Sequence, residues 1–331
     1  MNRQEALSDI QQTAEQVLKE SQEPVTRVRL LRDILHRPDD DPELVEARSL
    51  SADTKLGKRL EDELQVDNFR RALTTAMDLG LPESHPAFTK IRRYAESYLS
   101  EGVLNVSGSS SEDMSKRDLC LFERNIASML AKVDRNSPLV EEIFGKWAIV
   151  AGVAFESGKY NREAQIQITQ EIFEFDYNLR HSIKRPESAL SGAATLLAAR
   201  SDLLDPVDDA AYVKWCVLER RKPIVRINQL LDPSCRAGSK CLSAAEMLLD
   251  MMGLYGFRSW RPNIENVVDC LWQVRRGNGL WNFGATCINP PFLSRIRFAD
   301  NWRGKRGAHD WTTRVLLLLQ KYYENEELWL W

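Results

Sequence analysis

The sequence predicts an all-α fold, and three observations support this prediction. Apolar side chains recur with the three-and-four spacing of one helix face, beginning with Leu7, Ile10 and Ala14. The 331 residues include only 16 Gly and 13 Pro, fewer than an all-β chain with a turn about every ten residues needs. The prolines also fall at regular positions between helical runs.

The predicted structural unit is a helix, a short turn, a proline and a second helix. The first helices open near Gln4, Asp67, Asp118, Ser188 and Ser243. A proline follows each opener about 20 residues later, where its missing N–H suits the first turn of the second helix; these are Pro24, Pro86, Pro138, Pro206 and Pro262. Three of the second helices are expected to end at left-handed glycines, namely Gly102, Gly158 and Gly277. A last helix, Asp310 to Tyr323, has no partner.

These units indicate one domain over residues 1–331. Residues 1–65 form its N-terminal helices, residues 66–308 carry the helical-pair repeats, and residues 309–331 form a closing helix and tail. Helical pairs cannot bury their apolar faces alone, so they must stack in an array or close into a ring.

The composition excludes several classes of function. The chain has 45 Lys+Arg against 48 Asp+Glu, so it lacks the excess of cations that binds nucleic acid. No apolar run approaches the length of a membrane span, and the polar start has no secretory signal. The six cysteines show no CxxC spacing and indicate reduced thiols. We therefore expect a cytoplasmic protein without nucleic-acid partners or a membrane span.

Three segments resemble a known family. Residues 267–284, VVDCLWQVRRGNGLWNFG, resemble the repeat of squalene cyclases and protein prenyltransferase β-subunits, in which a helix ends in Gln (here Gln273) before a Gly-x-Trp turn (Gly279 and Trp281). Residues 24–48 and 309–323 are similar to the first and last helices of bacterial prenyltransferase-like proteins. The resemblance implies an α/α toroid of about five to six helical pairs around a central cavity, either closed or incomplete.

The catalytic motifs of that family are missing. Class II terpene cyclases protonate an alkene with an Asp-x-Asp-Asp motif, and the nearest acidic runs here, residues 39–41 and 205–209, lie at turns where they suit helix capping. Prenyltransferases hold zinc with an Asp, a Cys two residues later and a distant His, whereas Asp269 and Cys270 are adjacent. We therefore predict no metal and no cofactor, and whether the chain is an enzyme stays open.

Aromatic and basic residues concentrate late in the chain. Eight of the nine tryptophans fall at or after Trp215, and the long connection from Gly284 to Ala308 is rich in arginine. Aromatic rings and guanidinium groups suit a ligand with an apolar body and an anionic head. The predicted ligand site is one mouth of the ring, lined by Trp260, Trp281, Trp302, Arg303, His309 and Asp310.

Other residues are expected to be structural. Trp272 and Trp311 lie on the apolar faces of predicted helices and belong in the core. Arg32 and Asp33 lie at the edge of a buried face, and we predict that Arg32 ties this helix to a carboxylate on another helix. The alternative for this pair is a solvated surface.

Three functions remain open at this point. The first is a module that binds an isoprenoid or lipid-like small molecule without catalysis. The second is an enzyme of prenyl or terpenoid chemistry with unrecognised catalytic residues, and the third is a helical-repeat scaffold that recruits another protein. The missing motifs favour the first and the third.

Overall fold

A computed structural model of the chain describes residues 2–66, 68–101, 116–174, 271–282 and 305–324. It also describes isolated positions between residues 189 and 215, and residues 265, 268, 269, 298 and 300. Every regular element among these residues is helical, which confirms the predicted all-α class. No helix within the described ranges is long and apolar enough to cross a bilayer.

The described helices vary in length from 6 to 20 residues, or about one and a half to five and a half turns. They are α1 (Arg3–Glu20), α2 (Pro24–Arg29), α3 (Pro42–Ala52), α4 (Lys55–Gln65), α5 (Phe69–Asp78), α6 (Pro86–Glu101), α7 (Lys116–Leu130), α8 (Pro138–Phe155), α9 (Arg162–Phe173) and α10 (Lys305–Glu324). A π-helical turn, Leu30–Ile34, continues α2 directly.

The chain divides into two compact units. The first unit comprises Met1–Ala87, Ile227–Gly253 and Arg258–Trp331, and the second comprises Phe88–Arg226 and Leu254–Phe257. Both units are discontinuous in sequence, because the chain leaves the first unit after Ala87 and returns to it later. The single domain expected over residues 1–331 stays a prediction.

In the first unit, α1 and α10 pack against each other. The buried face of α1 consists of Ala6, Ile10, Thr13, Ala14 and Val17. α10 is buried around most of its circumference, and its buried positions include polar side chains as well as apolar ones. Arg3 strengthens the contact, because its Nε donates a hydrogen bond of 2.6 Å to the carbonyl oxygen of Tyr323.

The prolines mark helix starts as predicted. Pro24, Pro86 and Pro138 begin α2, α6 and α8, where the absent N–H leaves no intrahelical hydrogen bond unmade. The helices α1, α5 and α7 begin within two residues of the predicted openers Gln4, Asp67 and Asp118. The remaining markers lie outside the described residues; these are Gly102, Ser188, Pro206, Ser243 and Pro262.

The acidic run at residues 39–41 caps a helix, as predicted. One oxygen of Asp41, Oδ1, accepts hydrogen bonds from the N–H groups of Glu43 (2.9 Å) and Leu44 (3.2 Å), the first free donors of α3. Asp39 pairs instead with Arg48 at 2.6 Å, and this ion pair lowers the pKa of the Asp39 carboxyl. The run at residues 205–209 lies outside the described residues.

Two predicted boundaries are wrong. α10 begins at Lys305 rather than at Asp310, because Gly307 is buried inside its first turns and does not interrupt it. Gly158 is left-handed after α8 as predicted (φ +73°), but Gly277 is not. The left-handed residue of that turn is Gly279 (φ +80°), because the Asn278 side chain accepts the N–H of Leu280 and closes the turn one residue later.

Arg32 binds a carbonyl group rather than the predicted carboxylate of another helix. Its Nη1 donates to the carbonyl oxygen of Leu81 at 2.9 Å, and its Nε pairs with the adjacent Asp33 at 2.5 Å. Arg29 acts in the same way, since its Nη1 donates to the carbonyl oxygen of Met77 at 2.7 Å. Both arginines thus satisfy carbonyl groups at and beyond the end of α5, where helices leave acceptors unpaired.

Candidate functional site

Three of the six residues predicted to line a ligand site lie in described parts of the chain. Trp281, His309 and Asp310 all belong to the first unit. Trp260, Trp302 and Arg303 lie outside the described residues. His309 and Asp310 are on α10, and Trp281 is bonded to Thr312 of the same helix, so all three are attached to the first half of α10.

Trp281 is attached to α10 through its backbone. Its N–H donates to the hydroxyl oxygen of Thr312 at 3.0 Å, and that hydroxyl donates in turn to the Trp281 carbonyl oxygen at 3.3 Å. The indole N–H donates to the carbonyl oxygen of Leu271 at 2.6 Å. These contacts fix Trp281 against Thr312, which follows His309 and Asp310 on α10.

The two neighbouring tryptophans differ from their predicted positions. Trp281 was expected at an open mouth, but its side chain is 0% exposed. Trp272 was expected in the core, but it is half-buried and donates from Nε1 to the hydroxyl oxygen of Tyr323 at 3.1 Å. The left-handed turn at Gly279 folds Trp281 back beneath Trp272, with ring centroids 5.6 Å apart. Trp311 is buried, as predicted.

Arg275 links this pair of tryptophans to α1, a role that the sequence pattern did not single out. Its Nη1 contacts the Asp9 carboxylate at 2.6 Å, its Nη2 donates to the Thr13 hydroxyl at 2.5 Å, and its Nε donates to the Gly279 carbonyl oxygen at 2.7 Å. The guanidinium also lies over the ring of Trp281, 5.0 Å from its centroid. The sequence feature that could have identified Arg275 is its position between Gln273 and the Gly-x-Trp turn of the repeat.

Asp310 is a buried carboxylate with internal partners. One oxygen accepts the N–H of Phe298 at 2.8 Å, and the other accepts from Nε of Arg314 at 2.7 Å. Arg314 lies over the Phe298 ring, 3.9 Å from its centroid. Because its two oxygens bond a guanidinium of α10 and the backbone N–H of Phe298, Asp310 holds residue 298 against α10.

His309 is the buried titratable base of the site. Its side chain is 3% exposed, and its Nε2 lies 3.5 Å from Oε2 of Glu20 at the end of α1. Burial lowers the pKa of the His309 imidazole, although the nearby Glu20 carboxylate acts in the opposite direction. The ring is therefore neutral at neutral pH, with a long contact to Glu20 in place of a short hydrogen bond.

A second group of perturbed side chains lies in the second unit, on α6 and α7. Burial raises the pKa of Tyr98 to about 12 and that of the Cys120 thiol to about 12, and it also raises the pKa of the Glu123 carboxyl. A thiol of this kind stays protonated, so Cys120 behaves as a small apolar residue and not as a nucleophile. This agrees with the structural role expected for the cysteines.

The arrangement around α10 is suited to holding groups in place. Within the described ranges, no three His, Cys, Asp or Glu side chains cluster as metal ligands do. Asp310, Arg275 and Trp281 each bond to other parts of the same unit, which leaves His309 as the titratable group with the weakest attachment.

The repeat motif that resembles squalene cyclases and prenyltransferase β-subunits contains Gln273, Gly279 and Trp281. Its Gly-x-Trp turn is present in the structure as a left-handed residue followed by a buried indole. The sequence matches no family model, and no curated protein or solved structure is significantly similar to it.

Proposed function

We propose that this protein binds a hydrophobic small molecule, isoprenoid or lipid-like, without transforming it. The observation that carries the proposal is the attachment of the buried Trp281 to the first half of α10, the helix half that carries His309 and Asp310. Trp281 comes from a separate segment, whereas His309 and Asp310 are neighbours in the sequence. A large aromatic ring, a neutral imidazole and a charged pair are the kinds of group that line sites for apolar ligands with a few polar atoms.

The packing of α1 against α10 supports the toroid that would contain such a site. A closed ring of helices needs its first and last members to be neighbours, whereas an open solenoid keeps them apart. The contact lies wholly within the first unit. Arg3 reinforces it directly, and Arg275 bonds α1 to the turn that carries Trp281.

The bonds made by Asp310 favour binding over terpenoid chemistry. A carboxyl group that protonates an alkene must direct an oxygen into an apolar cavity. Asp310 instead pairs with Arg314 at 2.7 Å and accepts a backbone N–H.

A protein-interaction scaffold is the second candidate. Large apolar side chains are about half exposed or more on α3, at the end of α4 and on α5, namely Val45, Leu50, Val66 and Met77. Exposed apolar groups mark a protein-binding surface where they form one contiguous patch, which this candidate requires of these four side chains.

Native mass spectrometry of the purified full chain tests the first candidate. We expect a co-purified adduct of lipid mass that is released by organic extraction and rebinds to the stripped protein. Thr312→Val removes the hydroxyl that holds Trp281 and should weaken rebinding. Trp147→Phe, a change at a fully buried tryptophan in the second unit, is the matched control and should leave rebinding unchanged.

The other outcomes are equally informative. Bound zinc, or turnover of an added isoprenoid diphosphate, would favour an enzyme and overturn the proposal. A chain that carries no adduct and does not take up a fluorescent prenyl probe would leave the scaffold as the supported function.

A further inference from the structure

The end of α1 and the start of α10 meet around the buried imidazole of His309. The ring is 3% exposed, while the side chain of Glu20 that faces it is 37% exposed. Their closest atoms, His309 Nε2 and Glu20 Oε2, are 3.5 Å apart. The junction is therefore closed over a ring that fits in its neutral form.

The charged groups around His309 leave little to compensate a proton on the ring. Glu20 is shared with Lys305, whose Nζ lies 3.7 Å from the same oxygen. Glu23, in the connection before α2, faces Arg306 at 3.2 Å, and Asp310 is held by Arg314. On α2, Arg27 adds a further positive charge, directed at the carbonyl oxygens of Leu18 and Ser21 and at Glu43.

From this geometry we infer that the junction is a pH-sensitive latch, in which protonation of His309 releases the first turns of α10 from the end of α1. A protonated His309 would be a buried cation whose one facing carboxylate, Glu20, is partly exposed and shared with Lys305. Such a cation costs more free energy than the same cation in water. The released ring gains water on all sides. The latch does not rest on the proposed ligand, because it concerns the protein alone.

The direction of the effect follows from proton linkage. In the closed junction burial holds the pKa of His309 below its ordinary value of 6.5, which the ring regains once the junction opens. The open form therefore binds more protons between these two values, so acidification favours opening. For one proton, the open fraction rises by up to about tenfold between pH 7.5 and pH 5.5.

Hydrogen exchange of the full chain, read by mass spectrometry at pH 7.5 and pH 5.5 and corrected for intrinsic rates, tests the latch. We expect exchange in residues 305–313 to rise by up to about tenfold at the lower pH, with little change in residues 316–323. An unchanged rate in residues 305–313, or an equal rise along the whole of α10, would overturn the inference.

Three variants separate titration of His309 from general acid sensitivity. His309→Gln removes the titrating group and should abolish the pH response in residues 305–313. Glu20→Gln removes the compensating carboxylate, so its response should equal or exceed that of the unchanged protein; a smaller response contradicts the latch even if His309→Gln fails to fold. His36→Gln is the matched control, because His36 faces Glu324 at the opposite end of α10 and should leave the response intact.

Discussion

Arg275 shows how one side chain can join two segments of the first unit. Its fork reaches Asp9 and Thr13 on α1, while its Nε holds the Gly279 carbonyl in its own turn. Lysine has a single ammonium group and cannot reproduce these separate directions. The geometry of the fork is therefore more important here than the charge.

We expect Arg275→Lys to lower the free energy of unfolding by about 1–3 kcal/mol, because hydrogen bonds to charged groups are lost while Asp9 keeps a nearby cation. Urea denaturation followed by circular dichroism measures this change. Arg276→Lys is the control, since Arg276 is exposed and the described hydrogen bond of its side chain goes to the Asn282 carbonyl alone. Equal effects of the two substitutions would contradict the assigned role.

The burial of the two tryptophans leads to a second prediction. Trp281→Ala should cost about 3–5 kcal/mol of unfolding free energy, since it removes a fully buried ring and leaves a cavity. Trp272→Ala should cost less, because that side chain is half-buried and its Nε1 bonds to Tyr323. Denaturation curves of the two variants, compared under one set of conditions, give the order directly. The reverse order would restore the positions that helical spacing predicts.

The sequence identified some residues of the candidate site but not the role of each one. Residue type indicated Trp281, His309 and Asp310, and all three are attached to the first half of α10. Spacing could not determine which tryptophan lies deeper, because that depends on a turn conformation at Gly279. Nor could it identify Leu81 as the partner of Arg32, since any carbonyl or carboxylate within reach satisfies a guanidinium.

At the scale of the helix, His85 gives α6 a start that depends on pH. Its Nδ1 accepts the N–H of Ala87 at 3.2 Å, and only an unprotonated nitrogen can accept. Burial also lowers the pKa of the His85 imidazole below its ordinary 6.5. The folded state thus disfavours the proton, so the stability that this cap contributes is present above pH 6.5 and is lost as pH falls.

We expect His85→Asn to remove part of this acid sensitivity, because asparagine is a good helix cap that does not titrate. Melting temperatures at pH 7.5 and 5.5 should therefore fall less for the variant than for the unchanged chain. His309 contributes equally to both proteins and cancels in the comparison. Parallel losses in both proteins would show that the His85 cap does not respond to pH.

Two helical glycines, Gly57 on α4 and Gly145 on α8, should respond in opposite ways to substitution by alanine. Gly57 lies where α4 approaches the end of α3. A Cβ atom on Gly57 would lie 2.6 Å from the Ser51 carbonyl oxygen, a backbone atom that cannot move aside. Gly57→Ala should therefore destabilise the protein by about 1–3 kcal/mol. On α8, a Cβ on Gly145 would meet nothing within 4 Å, so Gly145→Ala should stabilise by about 0.5–1 kcal/mol. Thermal melts of both variants check the opposite signs.

Helix starts were predictable because their signals are local. Proline at the first turn and aspartate at the cap act through neighbouring backbone groups, so Pro24, Pro86, Pro138 and Asp41 kept their predicted roles. The repeat of helix, turn, proline and helix did not predict α3 and α4, which lie between its first and second copies. α3 buries only Leu44, Ala47 and Ser51, too few apolar residues to give a clear helical period.

At the scale of the whole molecule, the contact between the ends of the described chain is the feature that sequence could suggest only through a resemblance. Helical periodicity predicts a buried face on α1 and another on α10, but not that these faces meet. In the structure they do, within the first unit. Most of the stability of a helix of this kind comes from such packing and not from its intrinsic propensity.

The last prediction follows from this contact. Ile10 is fully buried on α1, so Ile10→Ala should cost about 2–5 kcal/mol and weaken the packing against α10. Hydrogen exchange should then accelerate in residues 311–323, although they lie some 300 residues away in sequence (Arg3 and Tyr323, for example, are 320 residues apart). Val150→Ala on α8, equally buried but in the second unit, should leave exchange in α10 unchanged and raise it within α8. If Ile10→Ala leaves α10 protected, the α1–α10 contact does not hold that helix in place.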